Sequence, residues 1–393
     1  MARERRRITS RRLRTIVTHW AEDPARFHGA VTPPIYETST FAMPSFDAID
    51  ASYAGDDTHY RYTRGRNPTT EIVEAKLAAL EDGQACLCFG AGMGAVAATL
   101  LTFLRAGGHV VAVQNLYGDT YRLLEEFGPR FGIARTYVRG TSPDEVEAAL
   151  RPETQLVWLE SPTSLLFELQ DLPAITARCR ARGVPTAIDN SWATPCFQQP
   201  LRLGVDLSVH SATKYLGGHS DIVAGAVIGA RDLLTRIRRT EASVLGSVLG
   251  PFEAWLLLRG LRTLPVRMEA HQLAGLEIAQ HLERHPRVCR VNHPGLASHP
   301  QHALGRAQMR GYSGLFSIEL DTDVAGVRRF CDALEMFYLG VSWGGWESLA
   351  FPAGAGSAAK RQHAPDTLVR LSVGLEDPAD LIEDLDQALE AAG

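Results

Sequence analysis

LSVHSATKYLGGHSD (residues 207–221) decides how this chain is read: an apolar run of strand character stops on small hydroxyls, a lysine and a pair of glycines. Taken alone, Lys214 at a strand end is a solvated lysine, the usual state of that side chain. Its neighbours along the chain change that reading. Upstream lie ACLCFG (85–90), HVVAV (109–113), IARTYV (133–138), QLVWLES (155–161) and PTAID (185–189), and downstream AGAVIGA (224–230), each a short β-rich run. Helical patterns such as TTEIVEAKLAALE (69–81) and AVAATLLTFL (95–104) separate them. This alternation predicts an α/β fold with a mainly parallel sheet covered on both faces. Ligands of such sheets bind beyond the carboxyl ends of the strands, so the residues just after each run matter most.

Three strand ends carry chemistry. In CFGAGMGAVAATLL the chain passes from a strand through three glycines into a helix. Glycines let backbone N–H groups approach a phosphate, and the helix N-terminus favours its negative charge. The same residues fit the dinucleotide pattern G-x-G-x-x-A at Gly90, Gly92 and Ala95, but Gln114 and Asn115 follow HVVAV where an acid would hold the ribose. PTAIDNSW places Asp189 at a strand end, where a lone carboxylate is a helix cap or turn residue as readily as a ligand. Ser211 and Thr213 precede Lys214 and offer hydroxyls to a phosphate. Pyridoxal phosphate (PLP) needs a lysine for its aldehyde, an acid opposite its pyridine nitrogen and a phosphate cradle. The acid matters because a protonated ring is the stronger electron sink. Gly92 onward, Asp189 and Lys214 supply all three, which predicts a PLP enzyme with the cofactor as a Schiff base on Lys214. An NAD-dependent oxidoreductase using the Gly90–Ala95 loop, and a non-catalytic protein on a degenerate PLP fold, are the readings left from other classes.

With 393 residues and 45% hydrophobic content, the chain can bury more than one ordinary core. Residues 1–60, irregular and containing Pro33-Pro34, read as an arm; 61–250 read as a large cofactor-binding domain. Residues 251–393 read as a smaller C-terminal α/β domain, opening on a long helical region (251–285) and holding the strands GLFSIEL (314–320) and LVRLSVG (368–374). A net charge of −5 gives no global basic field for nucleic acid or an anionic membrane. No stretch reaches the ~20 apolar residues of a membrane helix. Arg3, Arg5, Arg6, Arg7, Arg11, Arg12 and Arg14 form either a solvated terminus or a targeting or nucleic-acid tail, without the apolar run of a signal peptide. Cys86, Cys88, Cys179, Cys196, Cys289 and Cys331 read as buried free thiols of a reducing cytoplasm. The histidines form no ligand-spaced pair with flanking carboxylates, so no metal site is expected. PAGAGSAAK (352–360) reads as a loop.

PPIYETSTF (33–41), RYTRGRNPTT (61–70), DNSWATP (189–195), VHSATKYLGGHSD (209–221), SWGGWESL (342–349) and RLSVGLEDPADLIEDLDQAL (370–389) extend the pattern over nearly the whole chain. With these motifs it resembles the Cys/Met-metabolism family of PLP enzymes, which holds cystathionine β-lyases, cystathionine γ-synthases and γ-lyases, and methionine γ-lyases. The resemblance implies an aminotransferase-like fold (fold type I) and a cytoplasmic homotetramer built as a dimer of active dimers, acting on a small sulfur amino acid. It implies that Lys214 is the Schiff-base lysine, that Asp189 pairs with the pyridinium, and that Gly92, Met93, Ser211 and Thr213 hold the phosphate. Tyr117 resembles the tyrosine stacked on the ring. Tyr62 and Arg64 look like the pair that reaches the neighbouring subunit's phosphate, and Tyr117 or Tyr62 would assist proton transfer. Arg370, with Ser342 and Trp343, looks like the site for the substrate α-carboxylate; the residues alone also allow Arg370 to pair with Glu376 or Asp377.

Within the family, SPTSLLFELQDLPAI (161–175) and Trp343 resemble bacterial β-lyases; many γ-acting members have Asn-Pro at Ser164-Leu165 and often Leu at Trp343. The loop after SWGGWESL also lacks the Met-Thr-His run common in γ-enzymes. YTRGRNPTT is closer to the γ-acting branch, and Val341 to methionine γ-lyases, although Asp119 stands where those usually carry a cysteine. The main expectation is C–S β-elimination of L-cystathionine or a related cysteine S-conjugate to a thiol, pyruvate and ammonia, with Lys214 as the base. A γ-acting member is the alternative.

Overall fold

The computed structural model describes residues 12–355 and 364–393. Most of the arginine cluster, and residues 356–360 of the expected loop, lie outside the described residues. A seven-stranded sheet forms from β1 (Ala85–Phe89), β2 (His109–Val113), β3 (Ala134–Val138), β4 (Thr154–Glu160), β5 (Thr186–Asp189), β6 (Leu207–Ser211) and β7 (Gly225–Gly229). Its order is β1-β7-β6-β5-β4-β2-β3. β7 runs against its neighbours β1 and β6, and the β6-to-β3 pairings are parallel. The sheet is therefore mainly parallel, as the strand–helix alternation predicts.

Alternate side chains explain the layering, because successive strand residues face opposite sides. Leu87, Phe89 and Val227 face a core shared with Ala95, Val96 and Leu100 of the helix Gly92–Phe103. Cys86, Cys88, Ala226 and Ile228 face the other, shared with Val73 and Leu77 of the helix Pro68–Glu81. That helix starts where the Asn67 side chain accepts the Thr69 N–H (2.9 Å) and Pro68 takes the first turn; it ends on Asp82 in the left-handed region. Burying each such leucine stabilises by roughly 1.5–3 kcal/mol.

A second sheet has the order β10-β11-β12-β9-β8, from β8 (Val288–Asn292), β9 (Leu315–Leu320), β10 (Tyr338–Leu339), β11 (Leu349–Pro352) and β12 (Leu368–Ser372). β9 and β12 are the two expected strands. β10 is too short for any periodicity to register. The helix Pro251–Leu282 belongs to both cores: Leu257, Leu258, Leu261 and Leu264 pack toward the large sheet, Ile278, Ala279 and Leu282 toward the small one. A cut at residue 250 therefore leaves half of this helix on the far side of its packing partners.

The N-terminal region carries more regular structure than expected. Leu13–His19 and Phe46–Tyr53 are helices, and Arg14 pairs with Glu269 at the surface (2.7 Å). All six cysteines are free; Cys289 is exposed and Cys196 only partly buried, contrary to the expectation of uniform burial. Among the described residues no group of His, Cys, Asp or Glu could hold a metal ion, and no helix is long and apolar enough to cross a membrane.

Candidate active site

The parallel register brings the strand ends together. Glu160 of β4 is paired with Asp189 of β5, and Asp189 with Val209 of β6, two residues before Ser211. Beyond these ends lies a cavity of about 250 Å3 lined by Gly92, Met93, Tyr117, Glu160, Ser164, Asp189, Ser211, Thr213, Lys214, Trp343 and Arg370. Nine of the twelve residues singled out from the sequence thus line one cavity, and a tenth, Ser342, bonds the Lys214 amine.

The glycine-rich turn behaves as a cradle. A Cβ on Gly92 would stand 2.9 Å from Ser211 Cβ and Oγ, so any larger residue would fill the space between the helix and β6. Gly92 begins the helix after Ala91, whose side chain provides no cap, and the first-turn N–H groups have no acceptor within the helix. Such an end suits an anion. Ser191 Oγ accepts the Ser211 N–H (2.7 Å), fixing Ser211 beside this turn. Thr213 lines the same cavity. Its hydroxyl donates to the Ala224 carbonyl (3.2 Å) and accepts the Ala224 N–H (3.0 Å), which fixes it across the turn from Lys214.

Lys214 Nζ donates to Ser342 Oγ (2.7 Å) and lies 5.4 Å from the Trp343 ring centroid. Withdrawal from water, and then the Arg370 charge, bring its pKa down to about 8. Gly344 makes this approach possible: at φ +83°, its Cβ position would stand 2.8 Å from the Tyr215 nitrogen. Asp189 accepts the Ser191 N–H (2.9 Å), and burial raises its pKa against the opposing pull of that bond, His210 and Lys214.

Arg370 does not take either acidic partner that the sequence allowed. Its guanidinium donates to the Val341 (2.8 Å) and Ser342 (3.2 Å) carbonyls, while Glu376 accepts from Ser348 and Asp377 caps the last helix at Ala379. Burial lowers its pKa to about 10, so it stays charged at neutral pH. Tyr117 is held neutral: burial and then the Asp119 carboxylate push it up to about 12, and its hydroxyl donates to Asp119 Oδ2 (3.1 Å). Tyr62 and Arg64 stand outside the cavity of their own chain, the guanidinium 5.1 Å from the Tyr62 ring centroid.

Sequence reasoning missed Glu160. Its Oε2 accepts the Tyr117 N–H (2.7 Å) and its Oε1 the Ser164 hydroxyl (2.6 Å). Burial, and then Asp189 on the adjacent strand, raise its pKa to about 8, which keeps the carboxyl largely protonated at neutral pH. The strand-end rule that singled out Asp189 would have found it at the end of QLVWLES.

The sequence model of the family described as Cys/Met metabolism PLP-dependent enzyme matches residues 14–390. The chain belongs to that family. An L-methionine gamma-lyase of Pseudomonas deceptionensis is 42% identical over 386 residues, covering 96% of this chain and 97% of the relative. A cystathionine gamma-lyase of Bacillus subtilis (strain 168) is 40% identical over 384 residues, covering 96% and 99%. The crystal structure of metB from Corynebacterium glutamicum superposes with a TM-score of 0.92 at 32% identity, covering 97% of this chain and 98% of that one. Membership makes PLP the cofactor and sulfur amino acid metabolism the setting, and removes the dinucleotide reading.

The cavity fits that cofactor on its own terms. The chain has three lysines, Lys76, Lys214 and Lys360. Lys76 is fully buried and donates to the Ile16 and Val17 carbonyls and to Glu22, away from any strand end. Among the described residues, Lys214 is the lysine that lines this cavity, with an acid and an anion cradle beside it.

Proposed function

We propose that the protein catalyses PLP-dependent γ-elimination of a sulfur amino acid, cleaving the Cγ–S bond to give 2-oxobutanoate, ammonia and a thiol. The observation that carries this reading is that near-full-length relatives are named as γ-acting enzymes, lyases and synthases both among them. It favours this reading over the β-elimination expected from Ser164-Leu165 and Trp343, whose identities are a narrower signal than 42% identity over 386 residues.

The proposed roles follow from the geometry. Bound at Lys214, the cofactor supplies an electron sink that stabilises negative charge next to the substrate nitrogen. Asp189 holds the proton on the ring nitrogen, and the Gly92–Met93 turn with Ser211 takes the phosphate. Arg370 receives the α-carboxylate as a bidentate fork, turned toward the cavity by the Val341 and Ser342 carbonyls. Lys214 Nζ, with a pKa near 8, is suited to take the proton from Cα and move protons at Cβ near neutral pH. Tyr117 stays protonated and is the donor for the departing sulfur. Glu160 holds the Tyr117 backbone and the Ser164 hydroxyl in place.

The proposed assembly is a cytoplasmic homotetramer in which Tyr62 and Arg64 serve the neighbouring subunit's cavity. Their place outside their own cavity, and the exposure of Tyr53 and Tyr62, support it. The reaction is tested by incubating the holoenzyme with L-cystathionine. Cysteine and 2-oxobutanoate are expected; homocysteine and pyruvate would return the assignment to β-elimination.

A further inference from the structure

A buried polar cluster adjoins the floor of the cavity, and none of the roles proposed above uses it. Glu81, the last residue of the helix Pro68–Glu81, and His210 of β6 are both fully enclosed. Glu81 Oε1 accepts three hydrogen bonds, from His210 Nε2 (2.5 Å), Asn190 Nδ2 (2.9 Å) and Ser208 Oγ (3.0 Å). Gln198 closes the cluster, its Nε2 donating to Asn190 Oδ1 (3.0 Å) and to the Ser161 carbonyl (2.9 Å). Glu81 Oε2 and His210 Nδ1 are buried with no hydrogen-bond partner among the described residues.

Stability alone gives this arrangement little support. A buried ion pair costs both partners their hydration, and apolar side chains of like volume often serve a core as well or better. Two orphaned polar atoms add to that cost. The place of the cluster along the chain points elsewhere. Asn190 directly follows Asp189, while His210 lies between Val209, the register partner of Asp189, and Ser211 of the phosphate cradle. The cluster thus grips two neighbouring strands at the residues that adjoin the ring acid and the cradle. Burial pushes Asp189 toward its neutral form, and of the cationic side chains that oppose this, His210 acts more strongly than Lys214.

We propose that His210 is a positioning residue for the cofactor: held as a cation by Glu81, it keeps Asp189 an anion for the ring nitrogen. Charge then alternates from the core outward, with Glu81 negative, His210 positive, Asp189 negative and the protonated ring nitrogen positive. His210 does not line the cavity, so it acts through Asp189. This role rests on the place proposed above for Asp189, opposite the ring nitrogen, and adds the group that sets its charge.

The test measures equilibrium binding of two cofactors to the full-length apoprotein: PLP, and 1-deazapyridoxal phosphate, which has carbon in place of the ring nitrogen. His210→Gln can still donate to Glu81 but carries no charge. It is expected to weaken PLP by about tenfold and the carbon analogue by less than about twofold, because only the ring nitrogen answers to Asp189. A purely structural role would weaken both alike; that result overturns the proposal, and so does unchanged affinity for both. Should the unpaired Glu81 prevent folding, Glu81→Gln combined with His210→Gln removes both charges together, and the same comparison applies. Asp189→Asn separates the two readings. If it weakens PLP relative to the analogue while the His210 variant does not, Asp189 keeps its role and His210 loses its own. If Asp189→Asn fails to discriminate, the ring acid is wrongly assigned and both readings fall.

Discussion

The floor of the cavity and its rim are built differently. The floor is made of strand ends held in register: Glu160 beside Asp189, Asp189 beside Val209, and Lys214 three residues after β6. The rim is made of loops and a five-residue helix, Gly118–Arg122, and its side chains are half open to water. A register error of one residue would turn Asp189 to the opposite face of the sheet. Val341 could change identity with little effect on packing. The floor accordingly holds the groups suited to the cofactor, and under the proposed function the substrate's side chain would meet the rim.

The largest expected break in this comparison is at the floor. Asp189→Asn removes the charge that holds the ring proton and should lower kcat by on the order of 10²–10³-fold while cofactor binding persists. A loss below about threefold in steady-state kinetics would mean that the ring needs no anion there. A second measurement sharpens the floor's electrostatics. Only the neutral Lys214 amine can attack the cofactor aldehyde. A pKa of about 8 therefore predicts that uptake of PLP by the apoprotein speeds up as pH rises and levels off above pH 8. Below that point, uptake should slow by about tenfold per pH unit. A rise continuing toward pH 10, followed by stopped-flow absorbance, would mean the lysine is not withdrawn from water.

The smallest expected effect is at the boundary between floor and rim. Arg370→Lys keeps the charge and loses the planar fork, so KM for any amino acid substrate should rise by roughly tenfold with a smaller change in kcat. Steady-state kinetics showing an unchanged KM would remove Arg370 from carboxylate binding.

The same division explains what was legible in the sequence. β2, with all five residues buried, and the Gly92 helix start announce themselves by composition, and the strand-end rule then locates Asp189 and Lys214. Glu160 ends its strand as Asp189 does, so the strand-end rule reaches it too, but its role shows only in the pairing with Asp189 and the bond to the Tyr117 N–H. Thr213 is legible by its place beside Lys214, whereas the contact of its hydroxyl with the Ala224 backbone crosses the turn and is not revealed by spacing. Ser164 and Trp343 suggested β-elimination from identity at single positions. At the rim such identities are weak guides, because one side chain there can change without disturbing the fold.

The central claim is that the cofactor is anchored on Lys214 at this floor. Borohydride reduction of the holoenzyme, digestion and peptide mass spectrometry test it directly. The account predicts a phosphopyridoxyl group on the peptide containing Lys214 and none on Lys76 or Lys360; a label on either of those, or no fixed label, would contradict it.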